Sequence, residues 1–478
     1  MYLSFFKTVA SVNDKINALV WGLPMLLLLV GTGLFLSART GFLQFRHFGY
    51  AMKNTLGRVF HRQEAGAGEL TPFQAVSTAL AATVGTGNIV GVTGAIILGG
   101  PGAVFWMWVS ALLGMATKYA EVLLSVRYRQ RNAKGEWVGG PMYYIKNGLG
   151  RRFKWLGVLF CLFGVMASFG IGNIAQINSI AGSVNTVAAA FSPAAANHQT
   201  AIAVTVGLII AGFTALVLLG GLKRIGAVTE KLVPFMAALY ILSALAVVIA
   251  NAGRLGGTFA LIFQSAFRPQ AILGGTAGGA FLLAVKNGVG RGVFSNEAGL
   301  GSAPIAHAAS SERDPVRQGL YGIFEVFMDT IVICTLTSLA VLTSGVADGN
   351  FGVSALAGVG TTISAFATLF GERAGSVIIA VGLMLFATST ILSWSLYGVR
   401  CWEYLFGSRS VRAYQIVFIV VIVLGASMQL DLVWSISDTL NGLMAVPNLA
   451  ALLGLSTVVG KLTRDHFKEK TRLRISTR

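Results

Sequence analysis

The chain has 478 residues, of which 55% are apolar and only 11% charged, against roughly 25% charged in a soluble domain. That composition excludes an ordinary soluble fold of this size, and it excludes a disordered chain, which would be polar and poor in bulky side chains. The net charge of +18 would suggest nucleic acid in a soluble protein; here its placement along the chain matters more than its size.

A bilayer core about 30 Å thick needs roughly 20 apolar residues in a helix. Eleven stretches are candidates, at 17–37, 71–98, 102–126, 155–182, 199–221, 225–250, 270–306, 317–344, 374–403, 411–429 and 433–460. The alternating ten-residue strands of a β-barrel are not seen. The first stretch, ALVWGLPMLLLLVGTGLFL, is too long for the apolar core of a signal peptide and reads as a retained span. The fold class expected is therefore an all-α polytopic membrane protein of about 11 spans.

Eleven spans put alternate connections on opposite sides. One set, including 38–70, 118–154 and 461–478, carries 29 of the 36 Lys and Arg residues; the other carries five. Lys286 and Arg291 fall inside the seventh span. Positive charge accumulates on the cytoplasmic side, so the N-terminus is expected outside and the C-terminus in the cytoplasm. The basic tail 461–478 reads as an anchor on anionic lipid, with no nucleic acid as partner. Cys161, Cys334 and Cys401 each lie in an apolar run without metal-ligand spacing, and read as single buried thiols.

With 1–70 set aside as a first helix and basic linker, 71–250 and 251–460 are two blocks of five spans. Five is odd, so the second block enters from the opposite face, which makes an inverted repeat. Each block opens with a glycine-rich polar interruption of an apolar run: Thr83-Val84-Gly85-Thr86-Gly87-Asn88, and Gly288 to Glu297. Paired broken helices point to a transporter's binding site. Backbone freed in hydrocarbon costs several kcal/mol per group and persists where it lines a cavity. Half-helix N–H groups suit a carboxylate and half-helix carbonyls suit a cation. The bland alternative is a close-packing glycine patch in an intact helix.

At these residues the sequence resembles the alanine/glycine:cation symporter family. LAATVGTGNIVGV at 80–92, GGPGAVFWMW at 99–108 and NEAGLGSAPIAHAA at 296–309 carry the likeness. It implies the leucine-transporter type of 5+5 inverted repeat with one extra N-terminal helix, in a bacterial or archaeal plasma membrane. It also implies uptake of alanine and glycine driven by Na+, a co-transported ion and not a prosthetic group, with no obligatory protein partner.

On that resemblance the carbonyls of Ala81, Val84 and Phe386 and the hydroxyls of Ser389 and Thr390 would hold sodium. Gly85, Thr86, Gly87 and Asn88 would receive the substrate. Trp394, four residues beyond Thr390, and Phe294 would wall a pocket too small for leucine; Trp394 could otherwise be a packing residue. Gln176, on a face shared with Ser168 and Gly172, is expected to touch substrate or to bond between helices. Glu325 and Asp329 could form a gate with Arg291 or Lys286, or be static scaffolding. Glu297 could titrate as a proton site, which would make H+ the driving ion. An enzyme lacks support, because the five histidines show no catalytic or metal spacing and no P-loop occurs.

Overall fold

The computed structural model describes residues 2–58, 65–268, 277–428 and 431–476. Among them it is helical nearly throughout. Before residue 71 come α1 (Tyr2–Val20), α2 (Leu23–Arg39) and two shorter helices, Leu43–Arg46 and Phe48–Thr55. The first repeat contains α3 (Pro72–Thr83), α4 (Val90–Gly99), α5 (Gly102–Arg127), α6 (Lys154–Phe169), α7 (Ala175–Phe191), α8 (Gln199–Leu218) and α9 (Gly221–Ala250). A short hairpin, β1 (Gln130–Arg131) against β2 (Trp137–Val138), follows α5. After α10 (Leu255–Phe267) come α11 (Ala277–Asn296), α12 (Pro315–Val326), α13 (Thr335–Ser344), α14 (Val359–Phe370), α15 (Glu372–Phe406), α16 (Val411–Ser427) and α17 (Asp431–Gly454). Last comes α18 (Ser456–Ser476), so the basic tail is helical up to 476. The beginning of the seventh expected span, 270–276, and the turn at 429–430 lie outside the described residues.

Seven of the described helices are long and apolar enough to cross a membrane, and two further pairs qualify if each is counted as one bent span. The outward faces agree with that reading. Leu208, Ile209 and Leu216 on α8, and Leu242 and Ile249 on α9, are all more than half exposed. Water would penalise such a surface, whereas lipid does not.

The packing has the symmetry of an inverted repeat. α5 packs on α12, α7 on α15 and α8 on α16. Each of these helices meets its own counterpart, as a two-fold axis between the repeats requires. The crossed pairs correspond as well: α6 packs on α17 as α15 packs on α9, and α5 packs on α11 as α12 packs on α3.

At the end of the bundle where α5 finishes, the hairpin clamps three segments together. Glu69 Oε1 accepts bonds from Arg131 at 2.8 Å, Arg313 at 2.9 Å and the Trp137 indole at 2.8 Å. Burial pushes the Glu69 carboxyl up, but the Trp137 bond and the charge of Arg313 outweigh it and hold the group below the ordinary glutamate value. Nearby, Arg400 bridges Glu136 on the hairpin and Glu403 on α15.

Candidate functional site

Thr71 starts α3 with a reciprocal cap. Its hydroxyl accepts the Gln74 N–H, the Gln74 side chain returns to the Thr71 N–H, and Pro72 occupies the first turn where no N–H is needed. The helix then ends in the middle of its apolar run. Val84 and Gly85 are extended, Thr86–Asn88 form one tight turn, and α4 leaves at 57° to α3. The sequence break at Thr83–Asn88 is therefore real.

The structure sorts the four expected substrate residues into two pairs. The Gly85 N–H is already taken, donating to Asn88 Oδ1 at 2.8 Å. The Asn88 amide is taken as well, donating to Asp329 Oδ1 at 2.7 Å. In this structure the Gly85 N–H and the Asn88 amide are therefore engaged within the protein, and they tie the turn to itself and to Asp329. The N–H groups of Thr86 and Gly87 have no acceptor among the described residues. A methyl group placed on Gly87 would lie 3.5 Å from the edge of the Phe294 ring, so Phe294 covers the free turn.

Four of the five expected sodium ligands converge on the end of α3. Ser389 and Thr390 on α15 donate to the Ala81 carbonyl at 3.2 and 3.1 Å. Both also donate back to the Phe386 carbonyl of their own helix, at 2.8 and 3.0 Å. Local back-bonding and a cross-helix site therefore coexist. The Val84 carbonyl makes none of these contacts. These oxygens are hard and neutral, which suits a cation that must be released again.

The second interruption lies further along than the glycines suggest. α11 runs unbroken through Gly288, Gly290 and Gly292 to Asn296. Two of these glycines serve close packing on α5: a methyl at Gly288 would meet the Ala103 carbonyl at 2.3 Å, and one at Gly292 would meet Met107 at 3.2 Å. The chain breaks after Asn296, with Glu297, Gly299 and Gly301 at φ of +54°, +95° and +82°, and turns helical again over Pro304–His307. Its amides are not bare. Gly299 and Gly301 donate to Glu121 Oε1 at 3.0 and 3.1 Å, and the Asn448 amide joins them. A carboxylate of the protein itself fills the second break.

The sequence pattern of the sodium:alanine symporter family matches residues 6–476. The chain belongs to the sodium:alanine symporter family. It is 47% identical over 456 residues to the "Sodium/alanine symporter AgcS" of Methanococcus maripaludis, covering 95% of this chain and 96% of that one. An "Uncharacterized transporter" of Haemophilus influenzae is 46% identical over 462 residues, with 96% and 97% covered. Among solved structures, MhsT in complex with L-phenylalanine superposes with a TM-score of 0.58 at 14% identity, covering 83% of this chain and 96% of that one. At that identity the likeness shows the fold alone, a 5+5 inverted repeat. The symporter is a multi-pass membrane transporter and not an enzyme.

The remaining expected residues of this symporter fall in several places. Trp394 is buried, with its indole root against Gly172, where an added methyl would lie 2.4 Å from Trp394 Cβ. Gln176 touches neither Trp394 nor the break through a hydrogen bond. Its amide closes a π-helical turn, Gly170–Ile174, by donating to the Ile171 carbonyl at 3.0 Å. That turn carries one extra residue, so Ser168, Gly172 and Gln176 do not share the single α-helical face their spacing suggests. Ser168 pairs with the Tyr414 hydroxyl at 2.7 Å instead.

Of the two alternatives for Glu325 and Asp329, pairing with Arg291 or Lys286 is not seen among the described residues. Glu325 lies 3.3 Å from Lys118 and 3.1 Å from His307, all of them fully buried. Lys118 therefore belongs inside the bundle and not to the flanking loop with which its charge was grouped. Asp329 accepts bonds from Asn88, from Ser295 at 2.9 Å and from Thr330 at 2.7 Å. It joins the first break to the last turn of α11. Lys286 and Arg291 meet neither acid. They line a cavity of about 230 Å³ with Asn17, Trp21, Phe294 and Asp438. Sequence reasoning missed Glu121, Lys118, Asn448 and Ser295; the available signal was a lysine and a glutamate three residues apart within an apolar stretch.

Proposed function

We propose that this protein imports alanine and glycine together with Na+ by alternating access. The single observation that carries the reading is the meeting of the Ala81 carbonyl with the Ser389 and Thr390 hydroxyls, directly beside the unpaired N–H groups of Thr86 and Gly87. Sodium takes the oxygens and the substrate carboxylate takes the N–H groups, so both bind at one interruption. Val84 supplies a further carbonyl once the ion is present. Gly85 and Asn88 hold the turn in shape, and Gln176 holds the π turn behind Trp394. Phe294 and Trp394 leave room for a hydrogen or a methyl.

The chain crosses a bacterial or archaeal plasma membrane eleven times, with its N-terminus outside and its basic C-terminal helix on the lipid of the cytoplasmic face. The repeats are 71–250 and 251–460, preceded by the helix and linker of 1–70 and followed by 461–478. The clamp around Glu69 then lies on the cytoplasmic side and closes that end of the pathway.

Uptake of labelled alanine into proteoliposomes tests the function. An inward Na+ gradient concentrates alanine and glycine, and dissipating that gradient abolishes accumulation. Accumulation driven by a proton gradient in the absence of Na+ would overturn the ion assignment.

A further inference from the structure

We propose that Glu297 is a positioning residue for substrate size, because its carboxylate fixes the indole of Trp394 as the wall of the side-chain pocket. The assignment rests on the transport reading above and goes beyond it, since it makes selectivity a property of two residues on different segments of the second repeat.

Trp394 Nε1 donates to Glu297 Oε1 at 3.1 Å. The other carboxylate oxygen of Glu297 accepts the Ser302 hydroxyl, so the acceptor is itself anchored within the second break. On the opposite side the indole root rests on bare backbone at Gly172. Tyr397 meets the ring edge-on, with centroids 5.6 Å apart at 66°. Packing on Gly172 sets where the side chain starts, and the Glu297 bond sets which way the ring plane faces. Without that bond the ring keeps its attachment and loses its orientation.

The backbone at Glu297 supports the same assignment. Its φ of +54° is a conformation that glycine adopts freely and that other side chains adopt at some cost. Gly299 and Gly301 occupy the two further left-handed positions of the same turn. A glutamate just ahead of them, at a place where glycine would relax the chain, is there for its side chain. The ligand class follows: an α-amino acid whose side chain stops at one carbon while the indole is held, and extends to two or three carbons when it is released.

The test compares uptake of L-alanine, L-2-aminobutyrate and L-valine in the same proteoliposomes, using Glu297→Gln, Glu297→Gly, Trp394→Phe and the double variant Glu297→Gly/Trp394→Phe. Glu297→Gln retains a carbonyl acceptor for the indole, so its alanine-to-aminobutyrate ratio of kcat/KM stays within about twofold of wild type. Glu297→Gly removes the acceptor and relieves the backbone, so the protein folds, and the ratio falls by about tenfold, mainly through a lower KM for the larger substrates. Trp394→Phe, which has no indole N–H, behaves like Glu297→Gly, and the double variant shows no further loss. Equal ratios in Glu297→Gln and Glu297→Gly, or additive effects in the double variant, would overturn the proposal. Wild-type uptake that ignores Na+ would instead count against the ion assignment, because the selectivity ratio is read under whichever gradient drives accumulation.

Discussion

Thr390 Oγ1 lies 3.1 Å from the main-chain oxygen of Ala81, and this contact joins the longest helix of the second repeat to the interruption in the first. Ala81 is the point where an apolar helix is about to run out of hydrogen-bond partners. Its carbonyl finds two hydroxyls from α15 in place of a continuing helix. Loss of one hydroxyl removes one hard oxygen from the proposed ion site. Thr390→Val keeps the shape of the side chain, so the Na+ concentration for half-maximal uptake rises by about tenfold, near 1.4 kcal/mol, while maximal uptake at saturating Na+ falls less. Ser389→Ala acts in the same direction. Unchanged Na+ dependence in both variants would move the ion elsewhere.

Gly85 and Gly87 are two residues apart and predict opposite tolerance. A methyl at Gly85 would stand 2.7 Å from Thr390 Oγ1, which real contacts do not permit, whereas a methyl at Gly87 would meet Phe294 at an ordinary 3.5 Å. Gly85→Ala therefore loses Na+-dependent uptake and lowers the melting temperature in detergent. Gly87→Ala keeps the melting temperature and raises the KM for alanine. Thermal unfolding alongside uptake separates the two.

The all-helical membrane fold was legible in the sequence, because span length follows directly from bilayer thickness. The first break was legible too, since a polar pair flanks its glycines. The second was misplaced. Gly288 and Gly292 carry the same residue type as a break but serve to let α11 approach α5, and the sequence does not distinguish the two uses. The actual turn lies in Glu297 to Ser302, where left-handed glycines stand just ahead of Pro304. The partners of the buried charges were illegible for another reason. Lys118 and Glu325, or Glu121 and Asn448, meet only after the repeats interlock.

The Lys118–Glu325 pair is fully buried, so neither charge has water to stabilise it and each depends on the other. Removing one leaves an uncompensated charge, which costs about 3–5 kcal/mol. Lys118→Met alone therefore lowers the unfolding temperature sharply. Adding Glu325→Gln restores a large part of the loss. Thermal unfolding of the two single variants and the double variant gives the coupling directly, and strict additivity would contradict a direct pair.

The clamp around Glu69 has a defined pH window. Its carboxyl is held below the ordinary glutamate value, so the stabilisation is complete above that ordinary value, about 4.5, and is lost as pH falls through the lower folded value. Between pH 5.5 and 8, on this basis, proteolysis of the 128–138 hairpin in wild-type protein does not change with pH. Glu69→Gln accelerates cleavage across that whole range, and the difference from wild type closes only in strong acid. A midpoint near neutrality in the wild-type profile would assign the clamp to another group.

A structure determined with L-alanine and Na+ bound decides where the substrate and the ion sit. The substrate carboxylate is expected on the N–H groups of Thr86 and Gly87, and the ion among the oxygens of Ala81, Val84, Phe386, Ser389 and Thr390. Glu121 stays in place on the amides of Gly299 and Gly301. Alanine bound at that second turn with Glu121 displaced, while the first break stays empty, would contradict it.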